Sequence, residues 1–141
     1  MVVALPRGHA LARGSGSLAM KDLINEAFIV FARQGAPTFY EATIAACLRA
    51  GFSARIGQEA PRVTSALPLV AAGLGICIVP GSMQRMGMDG VTFRELKSAA
   101  PLRASLKLVR RRSDRSPVVR NFSTLVSQLA EQFKTQLQRQ P

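Results

Sequence analysis

The chain has 141 residues, of which 48% are hydrophobic and 19% are charged. This composition is typical of a folded protein with a core and excludes a disordered chain. Lys and Arg outnumber Asp and Glu by 19 to 8, and the net charge of +11 favours an anionic partner: a carboxylate, nucleic acid or a membrane surface. The N-terminus lacks a secretory signal and no apolar run could span a bilayer, so we expect a cytoplasmic protein with no membrane association.

The first quarter of the chain contains two short apolar runs. Val2–Leu5 begins with two β-branched valines and stops at a proline, and Ala27–Phe31 is long and bulky enough for a strand covered on both faces. Between the two runs, Ser17 is a candidate N-cap for a short helix over residues 18–26.

A longer helix and a third strand follow. Thr38 and Glu41 have the spacing of a capping box, and Gly51 stands where a helix ends. Residues 54–60 then alternate between apolar and polar side chains, which predicts a strand.

The segment after residue 60 predicts a helix, a tight turn and a buried strand. Thr64 and Ser65 lie in the first turn of that helix. Gly73 permits the turn out of the helix, and Gly75 lets the next strand enter the sheet without a colliding side chain.

The C-terminal third begins with two alternating runs, residues 91–96 and 103–111, which predict two more strands. Apolar residues at spacings of three and four predict a helix over residues 116–138. Strands that alternate with helices indicate an α/β fold with a mainly parallel sheet.

Few side chains could carry catalysis or bind a metal. His9 is the single histidine and stands in a Pro/Gly turn, where it is expected to brace the loop. Cys47 and Cys77 have apolar neighbours and are expected to be free, buried thiols. We therefore predict that the chain is not an enzyme and uses no cofactor or metal.

Two helix starts offer a place to bind an anion. The helices near Thr38 and Thr64 each follow a strand, and ligands of open α/β sheets bind where strands end and the next helices begin. Unpaired N–H groups at such starts favour a carboxylate or phosphate. The predicted site comprises Arg33, Gln34, Gly35, Pro37, Thr38, Phe39, Val63 and Thr64. Helix capping explains each hydroxyl equally well, and core packing explains Phe39 equally well.

Several stretches resemble one family. They are "VVALPRGHALA", "LINEAFIVFAR", "IAACLRAGFSARIGQEA", "LVAAGLGICIVPGSM" and "SPVVRNFSTLVSQL". In this order and spacing they are similar to the effector-binding domain of LysR-type transcriptional regulators, and the resemblance covers nearly the whole chain.

The resemblance implies two α/β subdomains like those of type 2 periplasmic binding proteins, joined by crossover strands, with a small organic acid bound between them. It divides the chain into a crossover strand and hinge (1–14), effector subdomain II (15–96), and a returning strand with the C-terminal helix of subdomain I (97–141). It also implies a homodimer or higher homo-oligomer.

The chain departs from the family pattern because the winged helix-turn-helix and most of the first subdomain have no counterpart in it. We therefore expect a fragment that contacts promoter DNA only through a missing N-terminal domain. We also expect weak effector binding and exposed apolar surface.

Two other classes of function stay open on the residues alone. A solute-binding module of a transport system would have similar lobes. Direct nucleic-acid binding would use the nine basic residues between Arg94 and Arg120, although a solvated face explains them as well and aromatic residues for base stacking are lacking.

Overall fold

The computed structural model describes residues 1–97 and 107–138, and the chain divides into two compact units, Met1–Ala104 and Ser105–Pro141. Within residues 1–97 the strands are β1 (Val2–Pro6), β2 (Leu18–Ala19), β3 (Ala27–Phe31), β4 (Arg55–Ala60), β5 (Cys77–Val79) and β6 (Val91–Lys97). The helices are α1 (Pro37–Arg49) and α2 (Val63–Ala71), with short 3₁₀ helices at Ala10–Ala12, Met20–Leu23 and Gly81–Met86. The second unit contains α3 (Pro117–Gln138).

The strands of the first unit form one mixed sheet. Strands β2, β6, β1 and β5 pair in that order, and β3 pairs with β4. A parallel bridge between Phe28 and Ile76 joins the two sets: the Ile76 N–H donates to the Ala27 carbonyl at 2.8 Å, and the Ile29 N–H donates to the Ile76 carbonyl at 2.7 Å. Only β1 runs against its neighbours, so the predicted mainly parallel sheet is confirmed.

The sheet is covered on both faces because successive side chains of a strand point to opposite sides. One face packs against α1 and the 3₁₀ helix Met20–Leu23, through Val3, Leu5, Phe28, Val30, Ile76 and Ile78. The other face packs against α2, through Val2, Ala4, Ile29, Phe31, Cys77 and Val79. This arrangement is the expected three-layer α/β fold.

Two glycines shape the connection from α2 to β5. Gly73 ends the helix with φ +79°, and its N–H donates to the Val70 carbonyl at 2.9 Å. Gly75 has φ +153°, and a Cβ atom there would lie 2.5 Å from the Ala27 carbonyl oxygen. Both predicted roles are confirmed, since a side chain at residue 75 would block the bridge between β3 and β5.

The predicted helix over residues 18–26 is wrong. Leu18–Ala19 pairs with β6 as a short parallel strand, and only Met20–Leu23 is helical, with 3₁₀ geometry. The Asp22 carboxylate accepts the Ala19 N–H at 2.8 Å, so Asp22 satisfies the start of this turn and Ser17 does not cap it.

The predicted capping box of α1 is also wrong. The helix begins at Pro37, Ala36 takes the N-cap position, and Thr38 is the second residue of the helix. Proline suits the first position because its missing N–H would have no partner there. The end of the helix is as predicted, because Gly51 follows it with φ +90°.

The second unit contains the predicted C-terminal helix. α3 covers Pro117–Gln138, in agreement with the expected 116–138. Residues 107–111, the described part of the predicted strand 103–111, have no regular structure, and residues 103–106 lie outside the described ranges. The strand prediction therefore fails for residues 107–111. An isolated strand leaves its backbone N–H and C=O groups without partners, and the described residues of this unit contain no other strand with which it could pair.

Candidate functional site

The turns after β3 and β4 lie side by side. Phe31 and Ala60 end the two strands as register partners, and the Ala32 N–H donates to the Ala60 carbonyl at 2.9 Å. At Gly35, a Cβ atom would lie 3.5 Å from the Pro61 carbonyl oxygen. Because the strands are parallel, the starts of α1 and α2 are brought to the same edge of the sheet.

Each helix start retains unpaired backbone donors. In α1 the Phe39 and Tyr40 N–H groups donate to the Ala36 carbonyl, which leaves the Thr38 N–H without a partner in the described part of the chain. In α2 the Ser65 and Ala66 N–H groups both donate to the Arg62 carbonyl, at 3.1 Å each.

The Thr64 N–H group, in the first turn of α2, likewise finds no acceptor within residues 1–97 and 107–138. The N–H groups of Thr38 and Thr64 therefore carry the partial positive charge of two helix dipoles.

The polar residues predicted for the site are accessible. Thr38 and Thr64 are exposed, and neither hydroxyl makes a hydrogen bond within the described ranges. Ser65 fulfils the capping role in α2, because its hydroxyl accepts the Arg62 N–H at 3.2 Å and donates to the Arg62 carbonyl at 2.8 Å. The hydroxyl of Thr64 is therefore not needed to cap the helix.

The loop before α1 and the first residue of the helix are exposed, but two predicted ligand contacts, Phe39 and Arg33, have other partners. Gln34, Gly35 and Pro37 are exposed. Phe39 is half-buried, and its ring meets the Phe31 ring edge-on with centroids 5.1 Å apart, so it belongs largely to the core.

Arg33, which was expected to hold an anion, forms an ion pair with Glu41. Sequence reasoning assigned Glu41 to a capping box and missed this pair. The two residues are eight positions apart, on either side of a turn and a helix start, and no local sequence pattern predicts an ion pair at that spacing.

The chain matches the family model described as the LysR substrate binding domain over residues 1–131. It belongs to the LysR substrate-binding domain family. It is 32% identical over 131 residues to the HTH-type transcriptional regulator CatR of Pseudomonas putida, which covers 93% of the chain and 44% of that regulator. It is 33% identical over 121 residues to AlsR of Bacillus subtilis, which covers 86% of the chain and 39% of that regulator. The chain thus spans less than half the length of these relatives.

Solved structures of LysR proteins share the fold. The BenM effector-binding domain with its effector benzoate matches at 28% identity and a TM-score of 0.60, over 70% of this chain and 45% of that one. The LysR family regulator CbnR matches at 26% identity and a TM-score of 0.61, over 70% of this chain and 34% of that one. Because these relatives are transcriptional regulators, the family match supports a regulator's effector domain over a solute-binding module of a transport system or an enzyme.

The remaining reactive side chains of this LysR domain are engaged or buried. The Nδ1 atom of His9 accepts the Leu11 N–H at 3.2 Å, so the ring proton is assigned to Nε2, which lies 3.1 Å from a Glu26 oxygen. Burial raises the pKa of Cys77 to about 12. Burial also raises the pKa of Cys47, to about 11, against the opposing effect of a backbone hydrogen bond. Both thiols are thus neutral and unreactive at pH 7.

No group of three or more His, Cys, Asp or Glu side chains within the described ranges could hold a metal ion. None of the helices in those ranges combines the length and apolar character needed to cross a bilayer.

A separate hollow of about 430 Å³ lies between the end of β1 and the start of β6. It is lined by Arg7, Gln84, Gly87, Met88, Asp89, Val91 and Phe93. It contains none of the predicted site residues, and its two charged side chains, Arg7 and Asp89, form an exposed ion pair at 3.4 Å.

Proposed function

We propose that this chain is the ligand-sensing part of a LysR-type transcriptional regulator, and that a small organic carboxylate binds where α1 and α2 begin. The observation that carries the proposal is the adjacency of two helix starts at one sheet edge, linked by the hydrogen bond from Ala32 to Ala60. The unpaired N–H groups of Thr38 and Thr64 would bind the carboxylate. The exposed hydroxyls of Thr38 and Thr64 supply further donors.

The apolar part of the ligand would lie against Pro37 and the accessible edge of Phe39, and Val63 stays a predicted contact. Gln34 and Gly35 are exposed on the same loop and would line its rim. The solved BenM domain holds benzoate, which makes an aromatic carboxylate a reasonable first probe for this chain.

Arg33 could bind the ligand carboxylate only in competition with Glu41. Its guanidinium is paired with Glu41, and both side chains are more than half exposed. A carboxylate ligand that binds Arg33 must therefore displace the Glu41 carboxylate, which reduces the gain from this contact.

In the longer regulator, the ligand would favour one arrangement of the effector domain, and this preference would pass through the homo-oligomer to DNA-binding domains outside this chain. In support, one of the solved relatives is full-length CbnR complexed with its target DNA. We also propose that the chain is cytoplasmic and that it divides into three parts: residues 1–14, 15–96 and 97–141.

The experiment is an NMR titration of the ¹⁵N-labelled chain with benzoate, which detects binding even at millimolar dissociation constants. We expect the amide signals of Thr38, Val63 and Thr64 to shift most. Benzamide, which has the same shape without the charge, is the matched control and should leave them unchanged. Shifts confined to other amides, or equal shifts with benzamide, would contradict the proposed site.

A further inference from the structure

His9 caps the turn that follows β1. The 3₁₀ helix Ala10–Ala12 begins directly after it, and the first N–H groups of a helix have no partner within the helix. The Nδ1 atom of the His9 ring accepts one of them, the Leu11 N–H, at 3.2 Å. Because Nδ1 can accept only while it carries no proton, this hydrogen bond exists only with a neutral ring.

The other ring nitrogen holds the ring in place. Nε2 lies 3.1 Å from a Glu26 carboxylate oxygen, and the two side chains are only 23% and 24% exposed. This contact suits both charge states of the ring, because a neutral ring donates its Nε2–H and a protonated ring forms an ion pair. Protonation therefore strengthens the hold of Glu26 on the ring.

Protonation has the opposite effect at Nδ1. Both nitrogens of an imidazolium are donors, so the Nδ1–H and the Leu11 N–H would point at each other. The ring cannot rotate away without breaking its contact with Glu26, and the turn must move instead. Histidine is the side chain whose ordinary titration falls between about pH 5 and pH 8, so modest acidification is enough to cause this change.

The Leu11 residue links the turn to the sheet. Its carbonyl accepts a hydrogen bond from Arg94 of β6 at 2.7 Å, and the same guanidinium donates to the Gly16 carbonyl at 2.6 and 3.1 Å. The Leu11 side chain also packs against the core. Movement of Leu11 therefore disturbs the contacts that hold residues 11–16 against the sheet.

The other charged groups around the turn are engaged or lie on another face. β1 and β6 pack against the turn, and β1 contains no titratable side chain. In β6, Arg94 faces the turn, whereas Glu95 and Lys97 lie on the opposite face because side chains alternate along a strand. Arg7 pairs with Asp89. The remaining charged residues of the flanking segments are exposed: Arg13, Lys21 and Asp22.

We propose that His9 is a pH-dependent cap of this turn. Uptake of one proton at Nδ1 releases the Leu11 N–H, opens the turn at residues 10–12 and leaves the imidazolium paired with Glu26. Loss of the proton restores the cap. The turn lies within residues 1–14, which the proposed function treats as the hinge of the effector domain, so acidification would loosen that segment. The switch itself involves no ligand and is tested without one.

The experiment follows the ¹⁵N-labelled chain by NMR from about pH 8 to pH 5. Two-bond ¹H–¹⁵N spectra of the ring report which nitrogen carries the proton, and we expect Nε2 at the upper end of the range. The Leu11 amide signal should move with the same midpoint as the ring signals. Protection of the Leu11 amide against exchange, corrected for the intrinsic pH dependence of exchange, should fall about fivefold, which is the typical effect of losing an N-cap hydrogen bond.

His9→Asn is the matched control variant. Asparagine is a favourable N-cap residue whose side-chain oxygen accepts the same N–H without titrating, so the Leu11 amide should keep its protection across the range. The reference amide is that of Ile76, which donates to the Ala27 carbonyl inside the sheet and should show no transition in either protein.

Four results would overturn the proposal. The first is a Leu11 amide signal that stays constant while the ring titrates. The second is a ring that keeps one charge state across the range or carries its neutral proton on Nδ1. The third is the same Leu11 transition in His9→Asn, and the fourth is a transition shared by Ile76, which would indicate unfolding of the whole unit.

Discussion

Replacing Gly75 by alanine should destabilise the first unit by several kcal/mol. The new Cβ atom would lie 2.5 Å from the Ala27 carbonyl oxygen, a backbone atom that cannot move without moving β3. The φ of +153° adds backbone strain of about 1–3 kcal/mol for a residue with a side chain. Separation of the strands would also break the two hydrogen bonds through Ile76, each contributing about 1 kcal/mol. The expected loss in free energy of unfolding is therefore about 3–5 kcal/mol.

Two other glycines provide graded controls for this measurement by urea unfolding and circular dichroism. Gly73 has φ +79° but open space around it, so Gly73→Ala should cost about 1–2 kcal/mol from strain alone. Gly8 has open space and no positive φ, so Gly8→Ala should change the free energy of unfolding by less than about 0.5 kcal/mol. If Gly75→Ala is no more destabilising than Gly73→Ala, the close approach of β5 to β3 is not the reason for the glycine.

Three further predictions concern a loop, the thiols and the site. The Arg94 guanidinium donates to the Gly16 carbonyl at 2.6 and 3.1 Å and to the Leu11 carbonyl at 2.7 Å. The substitution Arg94→Lys should therefore speed hydrogen exchange of the amides of residues 11–16, measured by mass spectrometry. The substitution Glu95→Gln, at the exposed neighbouring residue, should leave that exchange unchanged. Burial raises the pKa of Cys47 to about 11 and that of Cys77 to about 12, so the stability that the neutral thiols contribute is fully present below pH 9 and is lost as the pH rises towards those values. At pH 8 a disulfide reagent should therefore label both thiols only when the chain unfolds. Rapid labelling of the folded chain would contradict their burial. Glu41→Gln releases Arg33 and should tighten benzoate binding up to about fivefold in the NMR titration; unchanged or weaker binding would remove Arg33 from the site.

Much of the fold could be predicted because strong local patterns agree with the tertiary structure. The run Ala27–Phe31 is apolar at every position because both faces of the sheet are covered, and Gly73 and Gly75 stand at positions that need their freedom. The family resemblance, which rested on motifs spread over the whole chain, is confirmed by the match over residues 1–131.

The predictions that failed concern local choices decided by neighbours distant in sequence. Residues 18–19 became a strand because β6, more than 70 residues later, offers a parallel edge. Thr38 lost the capping position because Pro37 is well suited to start the helix itself. The ion pair between Arg33 and Glu41 depends on the path of the turn that joins β3 to α1, which spacing in the sequence does not specify.

The most direct test of the central claim is a crystal structure of the chain with 4-bromobenzoate, in which anomalous scattering locates the bromine independently of the rest of the ligand. The carboxylate is expected within hydrogen-bonding distance of the Thr38 and Thr64 backbone N–H groups, with the bromine beyond Pro37. A bromine peak in the hollow beside Arg7 and Phe93, with none near the starts of α1 and α2, would contradict the account.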